Sequence, residues 1–256
     1  MKKLLLLLLA IITGINSSVA ICTTKAPDTQ NPLNNPLFIA AIQGNENQIR
    51  ELVANDSTLK ANTQNMATAL SIAVACHNVG ATRALLNLGA DPNLGVDSPG
   101  MNNGSWAAIE AMACFLKAAV AFDTKESCIA IGQDANGDIL TKDIPKTDEQ
   151  RAQDLISAQK VFEIIVANPK SNLLKKNNAG LSAYVLVCIG QPAIKQLENC
   201  PKTIEAMTCI KQTLERELTK RGIKPETALK DAPQQVTRAL KQLEEENKKN
   251  VNVTRK

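Results

Sequence analysis

The chain has 256 residues, of which 44 % are apolar, 21 % charged and only 2 % aromatic, with a formal net charge of +4. Length and apolar content suffice for a packed core, which excludes a disordered chain, while so even a charge balance gives no nucleic-acid footprint. The single histidine, His77, excludes a metal centre built on several imidazoles.

Met1-Lys2-Lys3 is followed by the uninterrupted apolar run Leu4–Ile12, broken at Gly14 and Asn16, with Ser18-Val19-Ala20 as a small-x-small cleavage site. Residues 1–20 therefore read as a secretory signal peptide of bacterial appearance, and the mature chain is expected in a periplasm or secreted beyond it. The run falls short of the roughly 20 apolar residues that span a bilayer. Cys22 adds a second possibility, since Val19-Ala20-Ile21-Cys22 loosely matches a lipoprotein processing site, although Ile21 is bulkier than such sites accept. Membrane contact is expected only if Cys22 is lipidated. Residues 21–34 form a polar leader with Pro27 and Pro32 and no periodicity.

From residue 35 one pattern occurs twice. Asn35-Pro36-Leu37-Phe38-Ile39-Ala40-Ala41 is answered 33 residues later by Thr68-Ala69-Leu70-Ser71-Ile72-Ala73-Val74, and Leu52-Val53 by Leu85-Leu86. The second copy closes with Gly89-Ala90-Asp91-Pro92-Asn93. A unit this short cannot bury its own apolar face, so copies must stack. The spacing predicts an outer helix at Gln48–Val53, buried through Ile49, Leu52 and Val53. His77 stands where Gly44 stands in the first copy and is expected to pack in the turn between helices.

A third unit is distorted. Ala107–Cys114 aligns with Ala69–Cys76 at a spacing of 38, leaving room for a longer finger over Asp97–Gly104. Its inner helix is expected to run to about Phe122, followed by a polar insertion at about 123–146. Thr147-Asp148-Glu149-Gln150 is a capping box before a long helix ending in Phe162–Asn168. A fourth inner helix starts near Ser182 and Tyr184, and its outer partner covers Thr203–Lys220, buried through Ile204, Met207, Ile210, Leu214 and Leu218. Leu218-x-x-x-Gly222-x-x-Pro225 repeats the spacing of Leu85-x-x-x-Gly89-x-x-Pro92. After Pro233, the stripe Val236, Ala239, Leu240 and Leu243 suits a C-terminal capping helix within 226–256.

The period, the Pro36-Leu37-x-x-Ala40-Ala41 and Thr68-x-Leu70-x-x-Ala73 cores and the Gly89–Asn93 turn resemble ankyrin repeats. That resemblance implies an all-α solenoid over 35–225, about four helix–turn–helix repeats with the later two degenerate. It further implies a non-enzymatic module that binds another protein through fingertips and inner helices. The expected fingertip contacts are Asn65, Met66, Met101, Asn102, Asn103, Trp106, Lys175, Lys176 and Asn177. Trp106 doubles as a candidate for covering the core between repeats two and three.

Other motifs carry less. Seven cysteines in an exported chain raise a disulfide hypothesis, with Cys114–Cys128 and Cys188 with Cys200 or Cys209 as candidates, while Cys76 suits a small buried residue. Asp134-Ala135-Asn136-Gly137-Asp138 opens like a calcium loop, but Ile139 and Pro145 stand where glycine and glutamate belong. Residues 21–200 hold 14 basic and 17 acidic side chains and residues 201–256 hold 13 and 8, so the basic excess is C-terminal. Its charges alternate as on a solvated helix face, and neither nucleic acid nor a cofactor is expected. The expected partner is an envelope protein or, for a host-associated organism, a host protein. The rival is an enzyme built on the distorted 94–200 region, which requires a deep pocket with converging polar groups.

Overall fold

The computed structural model describes residues 35–94, 107–125, 128–133, 139–143, 146–176, 181–194 and 199–230. The leader, Cys22, the calcium-like loop and the C-terminal stripe lie outside these residues. So do Met101, Asn102, Asn103, Trp106 and Asn177.

The chain opens with α1 (Pro36–Gln43), where Pro36 occupies the first helical position and the Asn35 side chain accepts from Leu37 N at 2.9 Å. Both choices satisfy groups that a helix start leaves unpaired. The helix ends at Gly44, whose φ of 68° is costly for any residue with a Cβ. The polypeptide then turns into α2 (Glu46–Asn55), capped by Asn45 and buried through Ile49 and Val53. Next come the short α3 (Ser57–Ala61) and then α4 (Thr63–Ala75), started by the side chain of Asn62. The first finger expected around residues 65–66 is thus replaced by helix. Met66 is 2 % exposed within α4 and belongs to the core, while half-buried Asn65 is the residue whose N–H the Asn62 cap receives.

Helix α5 (Val79–Asn87) completes the second unit and ends in the turn at Gly89, φ 103°. The third unit consists of α6 (Ala107–Thr124), ending close to the expected Phe122, and α7 (Asp148–Ala167). The Thr147–Gln150 capping box is present, with both reciprocal bonds formed. Between them the expected polar insertion contains an antiparallel pair, β1 (Cys128–Gln133) and β2 (Ile139–Asp143), running from Cys128 opposite Asp143 to Gln133 opposite Ile139 with a bulge between Ala130 and Gly132. The fourth unit pairs α8 (Ala183–Ile194) with α9 (Pro201–Lys220), and α10 (Pro225–Lys230) follows.

The helices stack as α1–α4–α6–α8 on the inner side and α2–α5–α7–α9 on the outer. One continuous core results, from Leu37 and Phe38 through Leu70, Leu85, Phe115 and Phe162 to Leu186, Ile210 and Leu218. The fold is an all-helical repeat solenoid, to which the third unit adds the two-stranded hairpin. Each large apolar side chain withdrawn from water contributes about 1.5–3 kcal/mol, and sharing them between neighbours makes the units stable together.

The inner helices are covered far more than an open concave surface would be. Residues 69–75 of α4 are buried without a gap, as are residues 107–116 of α6 and residues 181–187, which lead into and begin α8. The expectation that inner helices present a free binding face therefore fails along these stretches. Seven successive residues at about 100° each pass right round a helix, so no side of it is left to solvent. Among the described residues no helix is long and apolar enough to cross a membrane.

Candidate functional site

The second finger is built by Asp91-Pro92-Asn93. Asp91 Oδ1 accepts from Asn93 N at 2.8 Å and from Asn93 Nδ2 at 2.9 Å, closing an Asx turn. The same Asn93 carboxamide then reaches into the third finger. Its Nδ2 donates to Lys170 O at 2.7 Å, and its Oδ1 accepts from Asn172 N at 2.6 Å. Lys175 Nζ donates to Asn93 O at 2.6 Å. The third finger is itself shaped by Asn168 and Asn172, which accept from Lys170 N and Leu174 N, and it is anchored by Ser171 Oγ on Ile165 O at 2.6 Å.

The two fingers consequently form one preformed edge rather than independent loops. Lys170, Asn172 and Lys176 stand exposed along it, with Lys175 half-buried. Of the fingertip residues expected from sequence, the described ones separate: Lys175 and Lys176 lie on this edge, Asn65 and Met66 in α4. The residues that assemble the edge, Asn93 and Asn172, were not expected. The Gly-Ala-Asp-Pro-Asn turn marked Asn93 as a turn residue, but a contact across 77 positions leaves no local signal.

The distorted half contains a groove of about 260 Å3 between α7 and α9, lined by Phe115, Leu155, Ile156, Gln159, Lys202, Glu205, Ala206 and Cys209. Phe115, one of the lining residues, packs on Phe162 with ring centroids 6.1 Å apart. Burial pushes the Cys209 thiol up, which holds it protonated at neutral pH and unsuited to nucleophilic attack. Among the described residues no three His, Cys, Asp or Glu side chains gather as they would around a metal ion.

The cysteines differ from expectation. Cys76 is disulfide-bonded, whereas Cys114, Cys188, Cys200 and Cys209 are free thiols. Cys114 is fully enclosed in α6, where burial pushes it up to about 12, so the Cys114–Cys128 pairing does not form. Cys188 instead pairs with the Tyr184 hydroxyl on its own helix, and Cys209 with Thr213. Neither of the Cys188 pairings is made. Cys76, expected as a small buried residue, is instead a half-buried cross-linked residue at the C-cap of α4.

His77, next to that cross-link, takes the left-handed conformation of Gly44, with φ 56°. Burial lowers its imidazole to about 4, helped by Lys146 and Lys117 and opposed by Asp154. It stays neutral and structural at ordinary pH, in the turn where it was expected.

Stacked helix pairs joined by fingers define a helical-repeat scaffold. Residues 5–95 match the family model for ankyrin repeats (3 copies). The matched stretch is similar to ankyrin repeats, and proteins built of such repeats generally serve as protein–protein interaction modules. The match begins inside the apolar run at the N-terminus and ends with the second finger. No curated protein and no solved structure matches the chain.

Proposed function

We propose that this protein is an exported, non-enzymatic recognition scaffold that binds a partner protein along the edge made by its second and third fingers. The observation that carries the reading is the Asn93 carboxamide, which locks both fingers together before any partner arrives. A preformed edge loses little conformational freedom on binding, so fewer contacts suffice for affinity. The chemistry of the edge, with Lys170, Lys175 and Lys176 all on the third finger, favours an acidic patch on the partner. Met101, Asn102, Asn103 and Trp106, the other contacts expected from sequence, follow the second finger in the chain.

Export is supported by the charged-then-apolar N-terminus and by the bonded Cys76, because cytosolic thiols are kept reduced. The mass of the mature chain from its native membrane or culture fluid tests this directly: loss of residues 1–20 is expected, and an intact N-terminus refutes export. A lipid-sized increment on Cys22 would identify an anchored form. For recognition, the full chain and a Lys175→Glu/Lys176→Glu variant are compared in capture from the same envelope extract and from host-cell extract. A partner held by the native chain and lost by the variant is expected; equal capture by both removes the finger edge from the mechanism.

A further inference from the structure

Helix α7 keeps one line of side chains in solvent. Glu149, Gln153, Ile156 and Lys160 are all exposed and fall within about 60° of one another around the helix. Ile156, 46 % exposed, is the one large apolar side chain left exposed among the described residues. It stands at the groove between α7 and α9, whose lining also includes Leu155, Phe115 and Ala206. An apolar cavity of about 150 Å3 holds a benzene ring, so the 260 Å3 of this groove has room for a branched aliphatic side chain. Knob and hole lie side by side, which is the condition for a surface that pairs with its own copy: across a two-fold axis, each Ile156 enters the other chain's groove.

The charges of the stripe are self-complementary too. Glu149 and Lys160 are opposite in sign and three helical turns apart, about 16 Å. Neither joins a salt bridge among the described residues. Two copies of α7 laid antiparallel, with the axis between residues 154 and 155, bring Glu149 of each opposite Lys160 of the other. The two Ile156 side chains are then offset by about 4.5 Å along the helices, near the centre of the contact. A parallel pairing would set like charges together. On the other rim of the groove Lys202 is bonded to Glu205 at 2.7 Å, so no net charge there opposes the approach.

We propose that this face is a self-association surface, on which a second copy packs antiparallel through α7 and inserts Ile156 into the groove between α7 and α9. Burial of Ile156 supplies the attraction. The two Glu149–Lys160 pairs fix direction and register, since exposed ion pairs add little affinity of their own. The overlap covers residues 148–161, about 21 Å of helix, which places the contact at the small end of specific interfaces. A weak dimer follows, with a Kd of about 10–100 µM. The pairing does not depend on the finger edge, but its consequence rests on that reading. The third finger follows the C-terminal end of α7, so an antiparallel pair carries its two finger edges at opposite ends, about 40 Å apart, able to hold a repeated partner at two points.

The test is sedimentation equilibrium of the full chain without any partner, so its outcome is separate from that of the finger edge. The native chain is expected to dimerise in the stated range, and Ile156→Asp to weaken the dimer at least tenfold. Glu149→Lys and Lys160→Glu are each expected to weaken it at least tenfold, although the second lowers the net positive charge and so eases general repulsion. The charge-swapped double variant, Glu149→Lys with Lys160→Glu, is expected to dimerise like the native chain, because each new charge meets its opposite across the axis. A native chain that stays monomeric up to about 1 mM overturns the proposal and leaves the groove to another occupant. A dimer indifferent to these substitutions, or single variants not rescued by the swap, overturns it as well.

Discussion

The first two units and the last two solve one problem, joining neighbouring helix pairs, in different ways. In the first half the joint is a backbone device. Gly44 turns left-handed at the end of α1, and Asn78 of the next unit lies against it, donating to Ala41 O and Ile42 O at 2.8 Å each. Asn78 thereby forgoes capping its own helix, whereas Asn45, its counterpart one unit earlier, caps α2. The second half keeps left-handed residues at Lys125 (φ 56°) and Gly222 (φ 71°) but adds long side chains between units. Arg221 donates to Val166 O at 2.8 Å and Asn168 O at 2.9 Å, and also to Ser171 O, placing a positive charge on the carbonyl end of α7. Asp123, at the end of α6, accepts from Lys202 N at 3.1 Å and from Thr203 N at 2.7 Å, capping α9 from another helix. In the later units, charge-assisted hydrogen bonds between units thus supplement the left-handed turns.

This contrast can be broken at several points. The largest effect is expected where both halves share the core: Phe162→Ala removes a fully buried ring under α6 and should cost about 3–5 kcal/mol, measured as a lowered urea midpoint. Next is Arg221→Ala, which strands three carbonyls at once. A loss of about 2–3 kcal/mol is expected, and Arg221→Lys should recover only part because an ammonium cannot reproduce the planar fork. If Arg221→Ala proves neutral, the second half is not held by this clamp.

The pH dependence comes from the first half. His77 is lowered to about 4 in the folded chain against an unfolded value near 6.5, so the unfolded state binds the extra proton between those values. Stability is therefore expected to fall as pH drops from about 6.5 towards 4, by about 2 kcal/mol at pH 5. His77→Gln should flatten this part of the profile. An unaltered slope in the variant would assign the acid sensitivity elsewhere.

Asp123→Ala should cost about 1–2 kcal/mol and Asp123→Asn much less, as for other helix caps. Gly44→Ala should cost about 1 kcal/mol from its left-handed φ alone, plus the displacement of Asn78, whose Oδ1 would sit 2.9 Å from the new Cβ. The comparison predicts that these two changes act locally: hydrogen exchange should rise at the α6–α9 contact for the first and at the α1–α5 contact for the second.

Sequence alone settled the repeat period, the helix pairs, the capping box at Thr147 and the turns at Gly44, Gly89 and His77, because each is a local matter of spacing, capping or backbone conformation. Its reading of Met66 as a fingertip failed because α3 and an early start to α4 replaced the finger, and helix and finger begin with similar polar residues. The β1–β2 pair escaped notice because a short hairpin within a polar insertion lacks strong alternation. The cysteine pattern, the clamps of Asp123 and Arg221, and the joining of two fingers by Asn93 were decided only by tertiary structure. All of these bring together groups about 50 or more positions apart or depend on burial, and side-chain hydrogen bonding over such separations has no period for a sequence to display.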